Sequence, residues 1–203
     1  MVSFYGWVAL GHLCLYLALF YWGGMMAERA AGRSIWLFSE SSGLEKLAVL
    51  GFRIAFVVPI IVPMIFYMAP TLATFDPLIG YATPMFGFIG QFIAAGGMAI
   101  AFASQMTMGA SWRVGVTEGA TGDLVAGGLY SISRNPTFLG HLILLIGVAV
   151  ALPSLATLGS VLIYGLSVRF QVKREEAILS TSLGEAYQTY LASTPRWFGV
   201  SRN

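Results

Sequence analysis

Three stretches of this chain, residues 4–26, 47–68 and 84–106, are apolar over 22 or 23 residues each. About 20 such residues are what a helix needs to cross ~30 Å of hydrocarbon. Trp7, Tyr21 and Trp22 suit the interfaces of the first stretch. Arg53 lies near the start of the second, where its long stem lets the charge snorkel outward. Two shorter apolar stretches, 137–152 and 154–171, are separated only by Pro153 and read as an antiparallel helical hairpin. Composition agrees: 57% of residues are hydrophobic, 10% are charged, and the mean hydropathy is +0.77. Nine acids and eleven bases are too few to wet the surface of a globule this size. The expected fold class is therefore all-α, a polytopic membrane protein with five transmembrane helices in one domain over residues 1–203. No internal repeat and no secretory leader is expected. Cys14 is the single cysteine, which excludes an intramolecular disulfide, and His12 and His141 are too few for a dedicated metal site. A net charge of +2 gives no reason to expect a nucleic-acid partner.

Charge placement tests the span count. Arg29, Arg33 and Lys46 lie in one connecting segment, Arg113 and Arg134 in another, and Lys173, Arg174, Arg196 and Arg202 in the C-terminal stretch. Arg53 and Arg169 sit at the span ends that face those segments. The N-terminus, the 69–83 loop and the 152–154 turn carry no Lys or Arg. With five spans all eleven basic residues fall on one side, which the positive-inside rule makes cytoplasmic. The N-terminus is then outside and the C-terminus inside, as in a bacterial inner membrane.

Both long polar segments, 107–136 and 171–203, fall on that cytoplasmic side. The hairpin brings them together. Residues equally far from Pro153 lie at equal depth: Arg134 is 19 residues before it and Val172 is 19 after, with Glu175 and Glu176 one turn further on. Arg134 and the Glu pair are thus expected to meet just above the interface. Their helix is expected to run to Leu183, with Gly184 ending it. Asn135-Pro136 reads as a helix start, with Asn135 as N-cap and Pro136 at the first helical position. The free N–H groups at such a start suit an anion, for example a carboxylate.

Gly128-Leu129-Tyr130, then Ser133-Arg134-Asn135-Pro136-Thr137-Phe138-Leu139-Gly140, then Arg169 with Glu175-Glu176, Gly184-Glu185, Tyr187, Tyr190 and Pro195-Arg196-Trp197 resemble the isoprenylcysteine carboxyl methyltransferase family and its phospholipid methyltransferase relatives. Ser111-Trp112-Arg113 resembles a tryptophan-basic motif of many bacterial members. The resemblance covers roughly residues 105–198; the first three spans agree in hydropathy alone. It implies S-adenosylmethionine (SAM) held between the hairpin and the cytoplasmic segments, and methyl transfer to a membrane-embedded amphiphile, either an isoprenylcysteine-like carboxylate or a lipid head group. Many members have His where this chain has Asn135, which leaves no imidazole at that position.

The site residues expected on this basis each have a plainer reading. Arg134 and Glu176 are the catalytic candidates, Arg134 holding the cofactor's carboxylate bidentately or only marking a positive-inside helix end. Glu175 and Glu176 hold ribose hydroxyls or the cofactor's ammonium, or form helix-surface ion pairs. Adjacent residues point about 100° apart, so one of the two, Glu176, is favoured to face the site. Asn135 is a cap or a cofactor contact, and His141 is a contact or a core histidine bonded to its neighbours. Leu124, Val125 and Gly128 contact the cofactor, with Gly127-Gly128 allowing close approach to adenine or only making a turn. Phe138, Tyr130, Tyr187 and Arg196 complete the cofactor set, the tyrosines and arginine doubling as interface anchors. Trp112 and Arg113 bind the acceptor, with Arg113 meeting a lipid head group, an acidic substrate or the cofactor, or only anchoring the interface.

Two other classes remain open. A membrane sterol or steroid reductase shares a similar C-terminal motif, but its NADPH would demand more basic residues than these segments offer. A non-enzymatic carrier would need polar residues along the spans, where only Arg53, Gln91, Gln105 and His141 qualify. A hydrophobic acceptor would arrive sideways from the bilayer at the height of Arg134. The second span, with Pro59 and Pro63 to kink it, is the expected border of that gap.

Overall fold

The computed structural model describes residues 3–36, 43–115 and 122–198. Parts of the two expected cofactor segments, residues 116–121 and 199–203 with Arg202, lie outside the described residues. The elements are α1 (Phe4–Ala31), α2 (Leu44–Met68), the short α3 (Pro70–Ala73), α4 (Pro84–Met108), α5 (Pro136–Ala151) and α6 (Leu155–Ser193). Among the described residues there is no strand, only an isolated bridge between Trp36 and Val114. α1, α2, α4 and α6 are long and apolar enough to cross a membrane. α5 is shorter: its 16 residues span about 24 Å at 1.5 Å per residue. The chain is an all-α, multi-pass membrane protein.

Local sequence explains the starts. Ser3 accepts from the Gly6 amide and Thr83 from the Phe86 amide, while Ser154 and Thr157 form a reciprocal capping box at the head of α6. Asn135 departs from expectation. It stands at the N-cap position of α5, but its side chain makes no cap bond. Its amide nitrogen instead donates to the Arg196 carbonyl at 3.1 Å, tying the head of α5 to the C-terminal segment.

The end of α6 is a second difference. Gly184 does break the helical path, at φ 53° and ψ −130°, but the helix resumes and runs to Ser193. The resumed piece buries Tyr187 and Tyr190, and that burial is what a helix ending at Leu183 would forfeit. The stretch Leu155–Leu183 ahead of that break is about 43 Å long at 1.5 Å per residue, so α6 already outruns ~30 Å of hydrocarbon.

α4 and α5 approach backbone to backbone. A methyl group added at Gly97 would lie 2.2 Å from the Leu144 amide nitrogen, and one at Gly147 would lie 2.2 Å from that of Ala94. Gly90 and Gly140 are equally closed, against Ala151 and Ala101. Small residues at such spacing let membrane helices gain van der Waals contact where lipid offers no hydrophobic drive. α2 packs chiefly along α6 and touches α1 little.

The two ends of the bundle differ. At one end Asp76 accepts from the Leu155 amide at 2.8 Å and from the Leu78 amide at 2.9 Å, and Trp7 meets Tyr67 edge to face. The start of α1, the 69–83 connection and the hairpin turn therefore share that end. The opposite end gathers the Trp36–Val114 bridge and the 122–136 and 171–198 segments.

Candidate active site

At this second end lies a cavity of about 430 Å³, within the ~300–1,000 Å³ of small-ligand sites. One part of its wall is polar: Arg113, Asp123, Arg134, Asn135, Glu175, Glu176, Tyr130 and Tyr187. The other is aromatic and aliphatic, from Tyr16, Leu17 and Phe20 of α1, Phe52, Phe56 and Val57 of α2, and Phe138 of α5. Of the expected site residues, Leu124, Val125, Tyr130, Arg134, Asn135, Phe138, His141, Glu175, Glu176, Tyr187, Trp112 and Arg113 all line this one space. Gly128 and Arg196 do not. Gly128 opens a 3₁₀ turn, its Cα side facing Thr107. Arg196 stands behind Glu176, its side chain 44% exposed.

Arg134 and Glu176 meet as counting from Pro153 predicts, with Nη2 at 2.9 Å and Nε at 3.3 Å from Oε1. Arg196 grips the same carboxylate from the other side, its Nε 3.0 Å from Oε1 and its Nη2 on Oε2. The Arg134 Nη1 group also donates to the Thr194 carbonyl at 2.7 Å and to Leu191 at 3.1 Å. A guanidinium has five N–H donors, and four of these bond protein acceptors. That leaves Arg134 without the free fork a bidentate carboxylate needs. Burial opposes the charge on Glu176, but hydrogen bonds from Arg196 and Arg134 outweigh it and hold its carboxyl below the usual range.

Both glutamates line the cavity, contrary to the expectation that one would turn away. The 100° between them is used: Glu176 faces Arg134 and Arg196, while Glu175 faces toward Arg113 from the wall. Burial pushes the Glu175 carboxyl up, Arg113 pulls it back down, and Glu176 adds to the rise. Arg113 is only 8% exposed and Trp112 only 6%. Nη1 of Arg113 donates to the Ser111 carbonyl at 3.0 Å. Its Nε and the Trp112 indole nitrogen are buried with no hydrogen-bond partner. The Val114 amide bonds the Ile35 carbonyl at 2.8 Å, which fixes this segment over the end of α1.

His141 reaches the wall with both ring nitrogens occupied, one by the Tyr16 hydroxyl and Nδ1 by that of Tyr164 at 2.9 Å. Tyr164 in turn donates to the Phe138 carbonyl at 3.1 Å, so its oxygen accepts from Nδ1–H, leaving Nε2 to accept from Tyr16. The satisfied-core reading of His141 fits this arrangement. The Tyr190 hydroxyl donates to the Tyr130 carbonyl at 2.6 Å, and Tyr130 meets Thr137 at 3.2 Å. These bonds staple the resumed part of α6 onto the head of α5.

Sequence reading missed Asp123, Phe52, Phe56, Leu179, Leu183 and Tyr190 among the lining residues. Tyr190 stood in a quoted motif, but nothing in a uniformly apolar α2 marks which side carries Phe52 and Phe56.

Comparison with known proteins places the fold and the family. A solved structure of the eukaryotic intramembrane Ras methyltransferase ICMT (isoprenylcysteine carboxyl methyltransferase) superposes with a TM-score of 0.59 at 17% identity, covering 100% of this chain and 68% of that one. At that identity the likeness is one of fold. A search of curated proteins finds no match. The phospholipid methyltransferase family model matches residues 85–186, half of the chain, from the first turn of α4 to just past the Gly184 break. The chain belongs to the phospholipid methyltransferase family, and is a membrane methyltransferase of ICMT-like fold.

Proposed function

We propose that this enzyme transfers a methyl group from SAM to the polar head of a membrane-embedded amphiphile. The observation that carries the reading is one cavity with two unlike walls, charged toward the cytoplasmic segments and aromatic toward the bilayer core. The residues present fit the donor: orphaned buried N–H groups and an unpaired carboxylate suit an amino-acid head, and Leu124, Val125 and Tyr130 offer apolar surface to a nucleobase. When bound, SAM supplies a methyl group activated by its sulfonium.

The chain's own task is then alignment and exclusion of water. Glu176, Arg134 and Arg196 hold the C-terminal segment over the cavity, and Tyr187 and Tyr190 seal it. A carboxylate acceptor would need no base, whereas an amine or thiol would need a proton acceptor at its own reacting atom. Arg53, Val57 and Trp36 line the cavity and are also exposed on the outer surface, which supports entry of the acceptor from the side, between α1 and α2. The charge map supports an inner-membrane protein with its N-terminus outside and this site on the cytoplasmic face.

The test supplies labelled SAM to purified enzyme with a prenylated cysteine analogue, with phosphatidylethanolamine vesicles, or with NADPH and a sterol. Methyl label in either amphiphile is the expected result. Label in neither, with NADPH oxidised, would overturn the reading.

A further inference from the structure

We infer that Arg113, Trp112 and Glu175 form a seat for the α-amino-acid head of the methyl donor, with Arg113 and the Trp112 indole N–H taking its carboxylate and Glu175 its ammonium. This rests on the SAM reading above and reassigns two residues first expected to meet the acceptor.

Three observations converge. First, Nε of Arg113 and Nε1 of Trp112 are buried donors without acceptors on one cavity wall. A buried unsatisfied donor is costly, and two on consecutive residues of this wall are a matched demand for an anionic oxygen. Second, Arg113 and Glu175 feel each other's charge yet form no salt bridge across the cavity. An amino-acid zwitterion has the opposite charge order and closes that open pair from both sides, adding no net charge to the interior. A simple anion at Arg113 would instead confront the Glu175 carboxylate. Third, the rival seat is taken. Arg134 has four of its five N–H groups on protein acceptors, and both oxygens of Glu176 are held by arginines.

Donor fragments test the seat without any turnover. S-adenosylhomocysteine carries the amino-acid head and 5′-methylthioadenosine lacks it, so binding of both is measured calorimetrically on full-length protein and on the Arg113→Met and Glu175→Gln variants. Wild type is expected to prefer S-adenosylhomocysteine. Each substitution removes one charge-assisted contact, so each is expected to weaken that ligand about 10- to 100-fold and to leave 5′-methylthioadenosine within twofold. Retained binding of the headless ligand also reports that the variants fold. Equal weakening of both ligands, or no change in either, would overturn the seat while leaving the SAM reading intact. Unchanged S-adenosylhomocysteine binding with a raised KM for the acceptor would return Arg113 to the acceptor. Wild-type protein that binds neither nucleoside would overturn the SAM reading and the seat together.

Discussion

Glu176 is gripped by Arg134 and Arg196 under different conditions, and the difference sets what each arginine contributes. The Arg134 side chain is 11% exposed and that of Glu176 13%, so truncating Arg134 leaves two carbonyls without their donor and a largely buried carboxylate held by Arg196 alone. Losing charge-assisted bonds of this kind costs roughly 1.5–3 kcal/mol. Arg134→Ala is expected to lower the melting temperature in detergent and to weaken S-adenosylhomocysteine binding, because the segment covering the cavity loosens. Arg196 is exposed, and Arg196→Ala is expected to cost no more than about 1 kcal/mol. Equal melting temperatures for the two variants would refute this division. The two glutamates also titrate in opposite senses. Glu176 is held low, so its stabilising effect is present above the ordinary carboxylate range and is lost as pH falls through its depressed value. Glu175 is held high by burial, so its contribution to folding is present below the ordinary range and is lost as pH rises through its raised value. Arg113, Glu176, Tyr130 and Tyr187 are the charged or titratable groups that face it. A ligand ammonium favours ionised Glu175. Binding of S-adenosylhomocysteine is therefore expected to strengthen as pH rises through a window above the ordinary glutamate range, with proton release there. Glu175→Gln should abolish that step in a calorimetric pH series.

Helix α5 carries Arg134, Asn135 and Phe138 at or near its head, so whatever fixes α5 fixes the site. That is chiefly α4, through the closed faces at Gly90, Gly97, Gly140 and Gly147. Two adjacent glycines make the test sharp. An added methyl at Gly97 runs into the Leu144 backbone, while at Gly96 it meets nothing within 4 Å. Gly97→Ala is expected to destabilise by about 1–3 kcal/mol. Gly96→Ala is expected to be neutral or to stabilise by up to ~1 kcal/mol through helix propensity. Thermal melting of both variants decides it, and the same sign for both would exclude the close-packing account. This scale also shows what the sequence could convey. The Arg134–Glu176 contact was legible because Pro153 fixes the register of the hairpin and both residues are charged in an apolar chain. The resumption of α6 after Gly184 was not, since a glycine that leaves helical dihedrals signals a stop equally well. The α2 wall was illegible for a different reason. Lipid and cavity are both apolar, so Phe52 and Phe56 carry no mark that distinguishes them from bilayer-facing neighbours.

The whole molecule turns its two ends to different work. Every Lys or Arg among the described residues lies toward the end with the cavity, and Asp76, clamped on the Leu155 amide, is the lone charged residue described at the other. In a Cys14→Ser background, cysteines at exposed Tyr81 and Glu185 are expected to be labelled from opposite faces of sealed vesicles. Labelling from the same face would overturn the five-span topology. Under the proposed function that polarity sets how the two substrates would reach each other. A charged donor would enter from water at the polar wall, and an apolar tail would have a separate way in where α2 leans on α6 and leaves α1. Val57 is 47% exposed and Trp36 38% exposed, yet both line the cavity, so this rim is shared between lipid and site. The far end of the same gap is bridged by Trp7 and Tyr67 and its middle by Tyr16 and Phe56, which leaves the opening at the height of the charged wall. A tail anchors its head there by ~0.8 kcal/mol per buried CH₂. At a fixed head group, kcat/KM is therefore expected to rise with tail length until the tail spans its leaflet. Val57→Trp, which narrows the rim without touching the charged wall, should raise KM for long-tailed acceptors and leave S-adenosylhomocysteine binding unchanged. A tailless head group turned over as efficiently as the tailed one, or a Val57→Trp enzyme indifferent to the tail, would mean that the acceptor comes from water.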